Sequence, residues 1–354
     1  MSSFRRAGCR DGARGCRAPR IALAAAALLL FLAAPPASAT WYEQGAVLTT
    51  VEENDLFVNS DRHYTQGFRQ SLLLGDDVMP SYVKLLAGAI PGFGVSQHIA
   101  DKLGFEIGQS IYTPANLRAT ELQRHDRPYA GWLYTGVILQ RRFFMDGGWP
   151  VLDNFQIDAG VIGPHSNAQE TQTWVHEFRG FDVPKGWAHQ LHDEPGIALK
   201  YQRTWLFSPD MRDRWIDLIP HAGFSLGNVD TSFRIGGTLR IGVHLPDDFG
   251  VSTISSLATT EGGWAKARVD RRWGFYAFTG TELSTVAYTA FLDGNLFRHS
   301  HHVEKEPIVA EFKIGVGFVL NLVELGLTYV YRTPQFVGQG KNDAYGSVSL
   351  KIKF

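Results

Sequence analysis

The sequence predicts an all-β fold: a transmembrane antiparallel β-barrel of about twelve strands, with one or two short helices in its loops. Three observations carry this. Apolar and polar residues alternate with period two in segment after segment. The polar side of those segments repeatedly bears charge. And charged residues make up only 19% of the 354-residue chain while aromatics reach 12% and glycine numbers 37. Phe233, Ile235, Leu239, Ile241 and Val243 oppose Arg234, Thr238 and Arg240. Ala310, Phe312, Ile314, Val316 and Phe318 oppose Glu311 and Lys313, and Val323, Leu325, Leu327, Tyr329 and Tyr331 oppose Glu324 and Arg332. A face carrying Glu, Lys and Arg cannot enter the core of a soluble sandwich. It can line a hydrated lumen while the apolar face meets lipid. Lipid tolerates no open sheet edge, so such strands must close into a barrel.

Taken in order, residues 1–39 read as a cleaved secretory signal. Arg5, Arg6, Arg10, Arg14, Arg17 and Arg20 precede an apolar run over 21–34 and a cleavage site at Ala37, Ser38 and Ala39. The run is too short to span a bilayer as a helix. Both cysteines, Cys9 and Cys16, fall inside it, so the mature chain 40–354 is expected to be one barrel domain with no disulfide and no cysteine metal site. Neither cysteine stands at the cleavage point, which argues against a lipid anchor.

Strands are expected at 46–51, 68–74, 104–112, 129–143, 154–162, 196–207, 215–226, 233–243, 273–292, 310–318, 323–331 and 345–354. In the last, Val348, Leu350, Ile352 and Phe354 oppose Ser347, Ser349, Lys351 and Lys353, a pattern that resembles the closing strand of bacterial outer-membrane barrels. Trp41, Tyr42, Trp132, Tyr134, Trp205, Trp215, Trp273 and Phe275 sit near strand ends and fit interfacial girdles. Two connections read as helices. One covers 81–90. The other covers 167–178, with Asn167 as N-cap and Gly180 as its end, and places Gln169, Gln172, Thr173 and His176 on one face. A formal net charge of −1, from 34 basic and 35 acidic residues, leaves no nucleic-acid footprint.

Candidate chemistry concentrates in residues 53–67, between the first two expected strands. Asn54, Asp55, Asp61, Arg62, His63, Tyr64 and Thr65 make an oxygen-rich turn at one rim, a pattern that turn geometry alone also explains. Asp55 is a hard oxygen ligand of the kind calcium takes, and the imidazole of His176 is the side-chain type most often used as a general base. Two other groupings carry less. Gly163 to Asn167 contains a His-Ser-Asn run without a supporting strand motif, and His299, His301 and His302 fall in one loop without a carboxylate pattern.

These residues resemble the outer-membrane lipid A 3′-O-deacylases. The resemblance is carried by Glu53-Asn54-Asp55, by Asp61 to Gly67, by Gln109 to Pro114 and by Asp126 to Gly131. It continues through Gly160 to Pro164, Gln169-Glu170 with Gln172, His176, and Lys185 to Leu191. It is dense over about residues 53–191; beyond that the match is to a barrel in general. It implies a twelve-stranded outer-membrane barrel, Ca2+ dependence and ester hydrolysis at the outer-leaflet end. His176, Asn54, Thr65 and Asp182 would be catalytic, Asp55 the metal ligand, and Arg118 and Gln172 contacts to substrate. Asp182 stands where the family pattern has Glu, and Glu177 is a second acid able to orient His176. The implied partners are lipid A or lipopolysaccharide and outer-membrane lipids, the expected state a monomer. A non-catalytic barrel or small pore, lined by Arg234, Arg240, Glu311 and Lys313, and a phospholipase acting on glycerophospholipids are the alternatives.

Overall fold

The period-two segments resolve into twelve strands in the computed structural model, which describes residues 45–58, 62–74, 80–83, 97–146, 148–211, 213–254 and 273–354. They are β1 (Val47–Asn54), β2 (His63–Leu73), β3 (Gln97–Thr113), β4 (Ala130–Phe144), β5 (Pro150–Ile162), β6 (Glu194–Trp205), β7 (Ile216–Gly227), β8 (Asp230–Val243), β9 (Trp273–Thr289), β10 (Ile308–Leu320), β11 (Val323–Arg332) and β12 (Asp343–Lys353). Each pairs antiparallel with its sequence neighbours, and β1 pairs with β12 from Val47↔Lys353 to Asn54↔Gly346, so the sheet has no edge. No helix among the described residues is long and apolar enough to cross a membrane. The expected signal at 1–39, with Trp41 and Tyr42, lies outside the described residues.

Side-chain direction follows the pleat. From β7 to β12 no outward position is charged, and most are apolar; Leu218, Phe224, Phe233, Ile235, Ile241, Phe275, Phe312, Ile314, Leu325 and Tyr329 are exposed among them. The inward positions hold the charges in pairs. Arg240 meets Asp217 and Asp248 at 2.6 Å each, Arg332 meets Glu311 at 2.6 Å, and Lys351 meets Asp248 at 2.9 Å. The β8–β9 connection enters the lumen. Asp248 anchors it, and further on Thr253 Oγ1 accepts a bond from Lys313 Nζ at 3.4 Å and the Ile254 N–H bonds Glu53 Oε1 at 2.7 Å. The interior is filled by this segment and by cross-lumen pairs, as in small barrels generally.

Several expectations change. β1 runs on to Asn54 and β2 starts at His63, so much of the turn expected over 53–67 is strand and only residues 55–62 connect them. β5 starts at Pro150, before residue 154, and β3 starts at Gln97, before residue 104. β9 stops at Thr289 instead of running to 292, because Asp293 Oδ2 takes the Thr289 N–H at 2.8 Å and the chain turns into a short helix, α2 (Ala290–Asp293). Trp132 and Tyr134 are not girdle residues: their even parity on β4 points them into the lumen, where they stack 5.5 Å apart. Trp215, Trp273 and Phe275 do face outward. Of the helix expected at 81–90, residues 81–83 are helical and the rest lies outside the described residues.

Candidate active site on the outer wall

On β1 to β3 the outward face changes character toward the rim away from the chain termini. Glu52 and Asn54 on β1, Gln66 on β2, and Gln109 and Thr113 on β3 are polar and occupy outward registers. Glu52 faces Phe68 and Val348, and Asn54 faces Gln66 and Gly346. Glu52 Oε1 accepts a hydrogen bond from Gln66 Nε2 at 3.0 Å. Between Tyr64 and Gln66 the β2–β3 register slips by one residue, leaving Thr65 as a bulge. The bulge separates duties. Tyr64 turns inward and donates to Glu53 Oε2 at 2.8 Å, while the Thr65 hydroxyl meets the Thr113 hydroxyl at 2.7 Å. Asp55 opens a 3-10 turn, Asp55–Val58, whose Phe57 lies over the outward face of Gly346; the Asp55 carboxylate takes the Arg62 N–H at 2.5 Å.

The β5–β6 connection folds over this same outer face. Gly131 on β4 makes the approach possible: a Cβ there would stand 2.0 Å from Ser166 Oγ and 2.3 Å from Ala168 Cβ. Gln109 Nε2 donates to Ser166 O at 2.7 Å, and Ala168 packs with Ile111, Tyr129 and Trp187. From there runs α1 (Ala168–Arg179), whose Arg179 comes within electrostatic reach of Glu52. Its buried residues are Ala168, Gln172 and His176. The opposite face leaves Trp174, Phe178 and the following Phe181 exposed, with Trp174 and Phe178 stacked at 5.8 Å.

The end of α1 sets the histidine. Gly180, left-handed at φ 72°, donates to Glu177 O, and the Phe181 N–H donates to His176 O at 2.8 Å, a Schellman closure. The reversed chain brings the Asp182 carbonyl to His176 Nδ1 at 2.7 Å. A carbonyl only accepts, so Nδ1 carries the proton and the lone pair of the neutral ring sits on Nε2.

The expected roles are realised unevenly. His176, Asn54, Asp55 and Thr65 are all buried, three on the polar part of the outer wall and its flanking turn, His176 on the helix that packs over β3 and β4 beside it. Asp182 is adjusted: its backbone carbonyl, not its carboxylate, holds the ring, because the carboxylate is exposed and paired with Arg118 at 2.7 Å. Arg118, expected on substrate, is 79% exposed in that pair. Gln172 accepts from Trp187 Nε1 at 2.9 Å, and Glu177 is exposed. Asn167 is no side-chain N-cap; it is left-handed at φ 55°, and its carbonyl receives Thr171. Gln169 faces solvent rather than sharing the buried face. Ser166 donates to Gly163 O at 2.6 Å and is buried, which removes it as a nucleophile.

A second rim grouping was visible only as neighbouring letters. His63, at φ 66°, is 3% exposed with Nδ1 2.8 Å from Asp343 and Nε2 3.5 Å from Asp126. Burial opposes charge on Asp126, but His63 and the Ala115 and Arg127 N–H groups outweigh it and hold the carboxyl below its usual value. This clasp ties the β3–β4 loop to the starts of β2 and β12, and His301 joins it by bonding Asp126 O at 2.7 Å. Its partners lie more than 60 residues away in sequence; no local pattern announces it.

For a cation the donor set is all oxygen: the Asp55 carboxylate, the Asn54 amide, the Thr65 hydroxyl and main-chain carbonyls. That suits a hard divalent ion better than a soft one. Among the described residues no three His, Cys, Asp or Glu side chains cluster as a metal site, so such an ion would lean on carbonyls and amides.

A family model described as outer membrane protein LpxR matches residues 23–354. The chain belongs to this family. It is an outer-membrane β-barrel protein, which accounts for the apolar wall. The structure of LpxR from Salmonella typhimurium superposes with a TM-score of 0.66 at 20% identity, covering 87% of this chain and all of that one. The translocator domain of the autotransporter NalP from Neisseria meningitidis and the β domain of the Bordetella autotransporter BrkA give TM-scores of only 0.41 and 0.37, each at 11% identity. They cover 94% and 88% of this chain and 98% of their own. No protein in the curated set matches the sequence.

Proposed function

We propose that this protein is a carboxylic ester hydrolase that removes an ester-linked 3′-acyl or acyloxyacyl chain from lipid A. Membership of the LpxR family supports the substrate class. The single observation that carries the chemistry is the polar patch on the outer wall, covered by the helix bearing His176. A polar group facing lipid is costly unless it is used or covered, and here it faces the route by which a lipid arrives. The rim away from the termini is the outer-leaflet end in this reading.

The residues divide the reaction as follows. The Asp182 carbonyl fixes the His176 tautomer, and Nε2 takes a proton from water. The water oxygen bonds to the ester carbonyl carbon; the carbon–oxygen bond to the sugar then breaks, the imidazolium returns its proton to the sugar oxygen, and the acyl group leaves as a carboxylic acid. Asn54 and Thr65 position the ester. Asp55, with carbonyls of its turn, would hold the divalent ion, taken as calcium; when bound it polarises the ester carbonyl. Arg118 can exchange Asp182 for a substrate phosphate, and Trp174 and Phe178 give the acyl chains an apolar ledge. A pore reading is disfavoured by the paired lumen charges and by the segment through Thr253 and Ile254.

Mass spectrometry of lipid A from cells with and without the protein tests this, with and without chelator. Loss of one 3′ acyl substituent, abolished by chelation, is the expected result. Unchanged lipid A with accumulating lysophospholipid would reject the substrate, and no change in any lipid would reject the enzyme.

A further inference from the structure

On the luminal side of the wall, away from His176, a cavity of about 160 Å³ is lined by Ile254 of the β8–β9 connection and by residues of the rim loops. Four cationic side chains line it, and three are answered. Lys200 meets Asp158 at 2.6 Å, Arg234 meets Asp230 at 3.3 Å and Arg332 meets Glu311 at 2.6 Å. The fourth, Arg127, is 1% exposed and has no carboxylate within ion-pair distance among the described residues. Its guanidinium donates to Gln335 Oε1 at 3.1 Å and to Phe291 O at 3.5 Å and stacks 4.7 Å from the Tyr112 ring. Its Nε has no hydrogen-bond partner. Asp126 and Asp343 act on it only at longer range, both being engaged with His63. Burial draws Arg127 down to about 10.

A buried guanidinium without a counter-charge is costly. Evolving chains remove such a cost by an internal carboxylate or leave the place for an external anion. The cavity has room for several heavy atoms, since a water occupies roughly 30 Å³ of liquid volume. The hydroxyls of Ser110 and Tyr112 also line it and add donors, while Trp132 and Tyr134 offer apolar faces. Glu306, the remaining carboxylate of the lining, is half-buried and forms no ion pair with Arg127 among the described residues.

We propose that this luminal cavity binds a small oxyanion, a carboxylate or a phosphate, through the Arg127 guanidinium, with Ser110 and Tyr112 as neutral donors. Arginine suits the task because its planar fork meets two oxygens of such a group at once. The site is separated by the barrel wall from the residues proposed for hydrolysis, and nothing in it depends on that reaction.

The test uses the full barrel folded in detergent, titrated with inorganic phosphate, acetate and glucuronate at constant ionic strength and read by calorimetry. Saturable binding of at least one is expected, and which one binds separates a free ion from a sugar-borne acid. Arg127→Gln should weaken that binding by about tenfold or more, the loss of a charged bidentate pair. Heat-modifiable migration in gels reports whether each variant is folded. Should Arg127→Gln fail to fold, the double variant Ser110→Ala, Tyr112→Phe keeps Arg127 and should still weaken binding several-fold. Absence of saturable binding by the wild-type protein, or affinity unchanged in a folded variant, overturns the proposal.

Discussion

The two flanks of the barrel obey different rules. Along β7 to β12 every outward register is uncharged and most are large and apolar, because lipid is the solvent there. Along β1 to β3 the outward registers near the rim hold Glu52, Asn54, Gln66, Gln109 and Thr113, and the 163–182 connection packs over the β3–β4 side of this region, at Gln109, Ile111 and Gly131. The same pleat serves both. The difference frames the proposed reading, in which function sits where the lipid rule is broken and a helix with a buried histidine packs beside the break.

The sharpest way to break the comparison is His176→Gln. It should reduce lipid A deacylation by about 10²- to 10⁴-fold, the usual contribution of a general base, with heat-modifiable migration unchanged. Activity retained would show that the covered patch is not the reacting site. Asp55→Ala should cost about 10²- to 10³-fold, the scale of losing oxyanion stabilisation; added calcium should rescue chelated wild type and not the variant.

On the other flank, Ile314→Arg places charge on the lipid face of β10 and should lower folding stability in bilayers by roughly 2–4 kcal/mol while leaving activity per folded molecule intact. Gln109→Leu on the polar flank loses only its bond to Ser166 O, about 1 kcal/mol; equal effects from the two would erase the distinction drawn here. Gly131→Val drives a side chain into Ser166 and Ala168. It should displace α1 and lower turnover by up to about 10²-fold, the scale of an ångström-sized misplacement, without unfolding the barrel.

The smallest effect is on pH. Asp126 has its carboxyl held below the usual 3.8 in the folded state. A depressed carboxylate contributes stability that is present above its unfolded value and lost as pH falls through the folded one. Acid unfolding of the wild type below that value should therefore be steeper than that of Asp126→Asn, measured by tryptophan fluorescence.

Strand number and facing were legible in the chain because burial in a barrel has period two and lipid enforces it at nearly every outward register. Helix α1 was legible for a similar reason, through Gly180 and the spacing of Gln172 and His176. Less was legible at the site. Asp182 reads as an acid, yet its backbone works on the ring and its side chain works on Arg118. Trp132 and Tyr134 read as a girdle and turn out luminal, since aromatic identity does not encode direction until strand parity is fixed.

Sequence by itself determined that the chain builds an antiparallel sheet with one charged face and one apolar face, since alternation and hydropathy are local properties. Only the tertiary structure decided that Thr65 is a bulge, that His63 is clasped by Asp126 and Asp343, and that Arg127 is buried without a carboxylate. Each of these depends on which distant strands and loops meet, and contacts of long sequence separation are set by barrel closure rather than by any neighbouring residue.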